Sequence, residues 1–148
     1  MKNVIKFFRP VIVLLSRTFW FIFRPHTRGA KIVLVSGGEI LLIKNTYGYK
    51  YTLPGGGIKK TESPEAGLKR EIKEELGIDL ETTRLLGSFV STAEYKKDEV
   101  FAFAGGLSKK EVYVDNFEID EVKWFQLDKL PSLGPVTMKV LDLYYRAQ

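Results

Sequence analysis

Cysteine is absent from this 148-residue chain, and histidine occurs once, at His26. Without a thiol there can be no disulfide framework, and one imidazole is too few for the nitrogen and sulfur ligand sets that zinc prefers. A reducing cytosol is compatible with that composition. Long unbroken apolar runs are also lacking. Lys6, Arg9 and Arg17 interrupt the most apolar segment, which argues against a spanning helix, and no small-residue cleavage site follows it. Neither internal repeats nor low-complexity linkers occur. Acidic side chains are missing from residues 1–38, which hold seven Lys or Arg, whereas the other 110 residues carry 16 Lys or Arg against 18 Asp or Glu. The net charge of +5 therefore belongs to an N-terminal extension and not to the body of the protein. With 45% apolar residues, that body is large enough to bury one core and shows no sign of a second.

The extension, residues 1–28, combines Val4, Ile5, Phe7, Phe8, Val11, Ile12, Leu14, Leu15, Phe19, Phe21 and Ile22 with Lys2, Lys6, Arg9, Ser16 and Arg17 on one arc of a helical wheel. This pattern predicts an amphipathic helix with a kink at Pro10. Three uses fit it: packing on the domain, packing on a second copy in a homodimer, or lying on a membrane surface, where a basic stretch rich in Phe and Trp suits a lipid interface. The interleaved apolar residues argue against a nucleic-acid surface.

Most of the chemistry is concentrated between Gly56 and Ile78, GGIKKTESPEAGLKREIKEELGI. Ser63 can cap a helix, Pro64 suits its first position and Gly77 can end it in a left-handed conformation. Ala66, Leu68, Ile72 and Leu76 give that helix an apolar side, so its carboxylates are expected to look outward. Glu71, Glu74 and Glu75 are related by three- and four-residue steps and share a face. Carboxylates so close together call for a cation, and hard ions such as Mg²⁺ or Mn²⁺ favour oxygen ligands and bridge to phosphates. Judged alone, these residues also fit a solvated charged helix supported by Lys69, Arg70 and Lys73.

The whole string is more specific. Gly56, Glu62, Arg70, Glu71, Ile72, Glu74, Glu75, Gly77 and Ile78 match, without a gap, the pattern Gly-x5-Glu-x7-Arg-Glu-aliphatic-x-Glu-Glu-x-Gly-aliphatic. This resembles the signature of the Nudix hydrolases, which cleave a nucleoside diphosphate joined to another group. The resemblance implies that Glu71, Glu74 and Glu75 are metal ligands together with the Gly55 carbonyl, that one of these three glutamates helps to deprotonate water, and that Arg70 and Glu62 hold loop and helix in register. Outside the signature the likeness is looser. Tyr51-Thr52-Leu53-Pro54-Gly55-Gly56 resembles the lead-in strand and turn, and Glu121-Val122-Lys123-Trp124-Phe125 with Leu130-Pro131 resembles the late strand and its exit loop. Glu118 stands where some members place a further acidic ligand or general base; a solvated loop carboxylate is the plain alternative. Lys59 and Thr61 depart from the usual acid and glycine.

Hydrophobic patterning predicts strands at Ala30 to Val35 and Ile40 to Ile43, joined by Ser36-Gly37-Gly38-Glu39, then a short strand near Tyr51. Further strands are predicted at Leu85 to Thr92, Val100 to Ala104 and Val122 to Phe125, with a closing helix from Pro135 to Arg146. A mixed sheet covered by helices buries these elements. It is also what the resemblance implies: an α/β Nudix-like α/β/α sandwich over residues 29–148.

The implied function is hydrolysis of a diphosphate linkage in a nucleotide derivative by a water activated on Mg²⁺ or Mn²⁺, in the cytoplasm or at a membrane reached through the extension. A catalytically silent nucleotide-binding or regulatory module of the same fold is the alternative. Candidate substrate contacts are Tyr51 and Tyr95 as stacking rings and Lys59 as a phosphate contact, with Lys60, Lys96, Lys97, Lys109, Lys110, Tyr49 and Phe89 behind them. Tyr95 falls near the tyrosine of the family's diadenosine polyphosphate hydrolases, and Ala93 replaces the proline of its ADP-ribose branch.

Overall fold

The computed structural model describes residues 11, 14–15, 26–46, 48–92, 97–108, 111–114 and 118–148. Most of the extension, and with it the predicted kinked helix, lies outside the described residues, as do Ala93 and Tyr95. Val11, Leu14 and Leu15 are helical and exposed. Among the described residues no helix is long and apolar enough to cross a membrane.

Five strands form one mixed sheet: β1 (His26–Ser36), β2 (Glu39–Asn45), β3 (Arg84–Ser91), β4 (Lys97–Gly106) and β5 (Ile119–Gln126), in the order β3-β4-β1-β2-β5. β1 and β4 run parallel, and the other neighbours antiparallel. Alternation along the central strands assigns the two faces. Ile32, Leu34, Leu41 and Ile43 pack with Leu68, Ile72 and Leu76 of helix α1 (Pro64–Leu76), while Val33, Ile40 and Leu42 pack with Val140 and Leu141 of helix α2 (Pro135–Arg146). The result is the expected α/β/α sandwich.

The β1–β2 turn uses Gly37 and Gly38, both at positive φ (57° and 78°), which is why a Gly-Gly pair sits there. β1 starts at His26, so the boundary expected at Gly29 falls inside a strand. Thr27 and Arg28 pair with Asp98 and Glu99 of β4, and an Arg28–Glu99 ion pair of 3.6 Å accompanies them. Near Tyr51 there are single bridges rather than the expected strand, Ile43 with Thr52 and Tyr51 with Leu133. Pro54, two residues on, has no N–H with which to extend a ladder.

One feature of this topology makes the site. The β1–β2 pairing includes Val35 with Ile40 and Ser36 with Glu39, next to the turn. Further from it, segment 52–58 runs between the two strands. Ile43 and Thr52 exchange two hydrogen bonds (2.9 and 2.8 Å), Ala30 N donates to Gly56 O (3.0 Å), Ile32 N to Pro54 O (3.1 Å) and Ile58 N to Arg28 O (2.9 Å). The glycine loop is thereby fixed to the centre of the sheet.

Candidate active site

The loop delivers Gly55, Gly56 and Gly57 to the side of α1. As the sequence predicts, Ser63 Oγ accepts from Ala66 N (3.2 Å) at the N-terminus, Pro64 opens the helix, and Gly77 closes it at φ 67° with its N–H on Lys73 O. Leu68, Ile72 and Leu76 are fully buried. Ala66, expected on the apolar side, is exposed, and Gly67 is buried in its stead because Ile58 of the loop packs on it, leaving only 3.2 Å for any added Cβ.

The three signature glutamates occupy different surroundings. Glu75 is half-buried; its Oε2 accepts from Gly55 N at 3.2 Å. Burial pushes the Glu75 carboxyl above the usual carboxylate range, with Glu71 and Glu118 adding to the rise, while Lys31 and the Gly55 N–H oppose it. The expectation that all three carboxylates face outward is therefore corrected for Glu75, which lies seven residues after Leu68 and three after Ile72, at the rim of the buried stripe. Glu71 points toward the loop and accepts from Arg70 Nη1 at 2.6 Å. Glu74, 59% exposed, reaches the same nitrogen at 3.2 Å and stands outside the cleft described below.

Arg70 and Glu62 form the latch between loop and helix. The guanidinium donates to Glu62 Oε1 (2.7 Å) and Oε2 (2.9 Å) and to Gly57 O (2.9 Å), and Glu62 Oε2 also accepts from Lys59 N (2.9 Å). Bonds from Arg70, then from the Lys59 N–H, hold the Glu62 carboxyl at about 2, far below its ordinary 4.5. Glu62 and Glu71 in turn raise the Arg70 pKa.

Beside the loop opens a cleft of about 1030 Å³. Gly55, Gly56, Gly57, Glu71, Glu75 and Glu118 line it, with Lys31 and Tyr51. Glu118 comes from the segment before β5, whose carbonyl accepts from Thr46 N at 2.7 Å. Tyr51 donates to Glu121 Oε2 at 2.5 Å and meets Phe125 edge-on at 5.0 Å. The bond to Glu121, then burial, raises the phenol pKa, and the same bond and the Phe125 contact hold the ring in the wall of the cleft. Lys59 does not line the cleft. Its N–H serves Glu62.

Lys31 is the residue that sequence reasoning missed. Its ammonium donates to Gly55 O (2.7 Å) and Leu53 O (3.1 Å). The available signal was a lone cation inside the apolar strand Ala30 to Val35, immediately across from the glycine loop.

Among the described residues no three acidic or histidine side chains stand close enough together to enclose a metal ion. The donor chemistry nevertheless fits one. All candidate ligands are carboxylate or carbonyl oxygens, and the protein already places cations among them, Lys31 on the Gly55 carbonyl and Arg70 on Glu71 and Glu74.

A helix-covered mixed sheet with a glycine loop feeding an acidic helix defines the class of domain. The profile of the NUDIX domain matches residues 25–144, and the chain belongs to the Nudix hydrolase family. It is 26% identical over 126 residues to the NAD-capped RNA hydrolase NudC of Pseudomonas aeruginosa, covering 81% of this chain and 45% of that protein. It is 33% identical over 107 residues to a putative 8-oxo-dGTP diphosphatase of Bacillus subtilis, covering 72% and 70%. The chain thus spans about half the length of the NudC relatives it matches. In structure it is similar to a MutT Nudix hydrolase from Burkholderia pseudomallei, with a TM-score of 0.72 and 30% identity over 80% of this chain and 98% of that one.

Proposed function

We propose that this protein is a divalent-metal-dependent hydrolase that cleaves a diphosphate linkage in a nucleoside diphosphate derivative. One observation carries this reading: Glu71, Glu75, Glu118 and the Gly55–Gly57 loop line a single cleft of nucleotide size. Glu71, Glu75 and the Gly55 carbonyl would hold Mg²⁺ or Mn²⁺, with Glu74 joining from the solvent side. When bound, the ion supplies neutralisation of charge on phosphoryl oxygens and a water of lowered pKa. Glu118, which reaches the same cleft from a different segment, is the proton acceptor on this reading. Arg70 and Glu62 act on the loop's position and not on substrate. Tyr51 shapes the wall. The names of the relatives support a nucleotide substrate: NAD-capped RNA for NudC, 8-oxo-dGTP for the Bacillus protein.

The test is a screen of nucleoside triphosphates, dinucleoside polyphosphates, nucleotide sugars and capped RNA with and without Mg²⁺, the readout being chromatographic separation of the two phosphorylated products that cleavage of the diphosphate linkage yields, on wild type and Glu75→Gln. Glu75→Gln keeps the size of the side chain and removes a ligand charge, so turnover should fall at least about 100-fold, more than the loss usual for an outer-shell partner. Metal-independent hydrolysis, or wild-type turnover in the folded variant, would refute the proposal.

A further inference from the structure

Lys31 takes a position that a resident metal would need. Its Nζ lies 2.7 Å from Gly55 O and 3.1 Å from Leu53 O. Glu75 in turn accepts from Gly55 N. A single ammonium is thus bound to the loop on one side and attracted to the helix on the other. Removing one member of such a partly buried pair leaves the other uncompensated. A second cation brought to the Gly55 carbonyl would meet strong repulsion from the first, because two positive charges sharing one oxygen sit only a few ångström apart.

We propose that Lys31 is a positioning residue that acts as the intramolecular counter-ion of the metal-free site, holding loop and helix together until a divalent ion displaces its ammonium from the Gly55 carbonyl. This rests on the reading of that carbonyl and the neighbouring glutamates as a metal site. A lysine is suited to such an exchange. Its flexible stem lets the charge withdraw without moving the backbone of β1, whereas a planar guanidinium would be tied by several bonds at once.

The exchange is tested on the full chain with wild type, Lys31→Met and Lys31→Gln, by calorimetric titration with Mn²⁺ and by thermal melting with and without saturating Mg²⁺. Without metal both variants should melt lower than wild type, since Glu75 and the carbonyls lose their cation. Saturating Mg²⁺ should recover most of that loss, so the metal-induced rise in melting temperature is larger in the variants than in wild type. Mn²⁺ affinity should increase fivefold or more. Lys31→Gln retains an N–H donor for the carbonyls, and it decides the matter should Lys31→Met not fold. Equal or weaker Mn²⁺ affinity in a folded variant, with the same drop in melting temperature at either metal level, would show a plain loop tether and overturn the exchange. Absence of Mn²⁺ binding by wild type and variants alike would instead overturn the metal-site reading, and the exchange with it.

Discussion

Two adjacent glycines of the loop should fail in different ways when replaced by alanine, and the structure says which does what. Gly55 has φ 120°, and a Cβ there would stand 2.2 Å from the Ala30 carbonyl oxygen and 3.1 Å from its carbon. That neighbour is backbone of the central strand and cannot swing aside. Left-handed strain costs about 1–2 kcal/mol, and pushing the loop away weakens Ala30 N to Gly56 O and Ile32 N to Pro54 O, each worth about 1 kcal/mol. Gly55→Ala should therefore lose about 3–4 kcal/mol, or roughly 10 °C in melting temperature for a domain of this size. At Gly56 the added Cβ would meet Glu71 Oε2 at 2.3 Å and its Cδ at 2.6 Å. Here the obstacle is the end of a side chain that can rotate, so Gly56→Ala should cost less than about 1 kcal/mol. The rotation carries the Glu71 carboxylate off the cleft, and kcat should drop at least about tenfold, equivalent to about 1.4 kcal/mol. Thermal melts by circular dichroism and steady-state rates on the substrate found in the screen separate the two effects. A Gly56→Ala protein with wild-type kcat, or a Gly55→Ala protein with an unchanged melting temperature, would refute this account of the loop.

Two further outcomes follow from the latch and the core. Glu62 is held at about 2 when folded against an ordinary 4.5. Its ionised form therefore contributes stability above about pH 4.5 that is lost as the pH falls through 2, and the melting-temperature gap between wild type and Glu62→Gln should shrink over that window; a constant gap would mean that the Arg70 bonds contribute nothing. Ile72, fully buried between α1 and the sheet, should lose about 2–5 kcal/mol on change to Ala in a urea titration, whereas Met138→Ala, at 57% exposure on α2, should stay within about 0.5 kcal/mol.

Local signals made much of this fold legible. The capping serine, the proline after it and the terminal glycine set both ends of α1, and Pro135 to Arg146 is helical over the predicted range. Strand ends were less visible. β4 begins at Lys97 and not at Val100, because Lys97, Asp98 and Glu99 pair with the start of β1 while their charged side chains give no apolar alternation. The signature carboxylates could be placed on one helix, but their division into half-buried Glu75, loop-facing Glu71 and exposed Glu74 depends on what covers each arc. The helical wheel already held part of that answer, since Glu75 follows the Leu68 and Ile72 stripe. Glutamate is so commonly solvated that its place beside the stripe does not by itself mark it as half-buried.

What no local pattern can supply is the separation of β1 from β2 beyond their turn. The wedge there is the segment from Thr52 to Ile58, bonded to Ile43 on one side and to Arg28, Ala30 and Ile32 on the other. The β1 partners lie more than 20 residues before the loop in the sequence, so only tertiary pairing brings them together. That pairing gives Lys31 its surroundings. A lysine within a strand ordinarily points to water, yet in this strand the space beside it is taken by loop carbonyls, and its charge has oxygen atoms to answer. The same wedge turns a tolerant turn sequence into a rigid cradle, because each loop carbonyl bonded to β1 fixes the direction of the next peptide. The geometry of the cleft in this domain is thus a property of how the sheet's centre is opened, and the glutamate helix contributes its charges to a frame that β1 has already set.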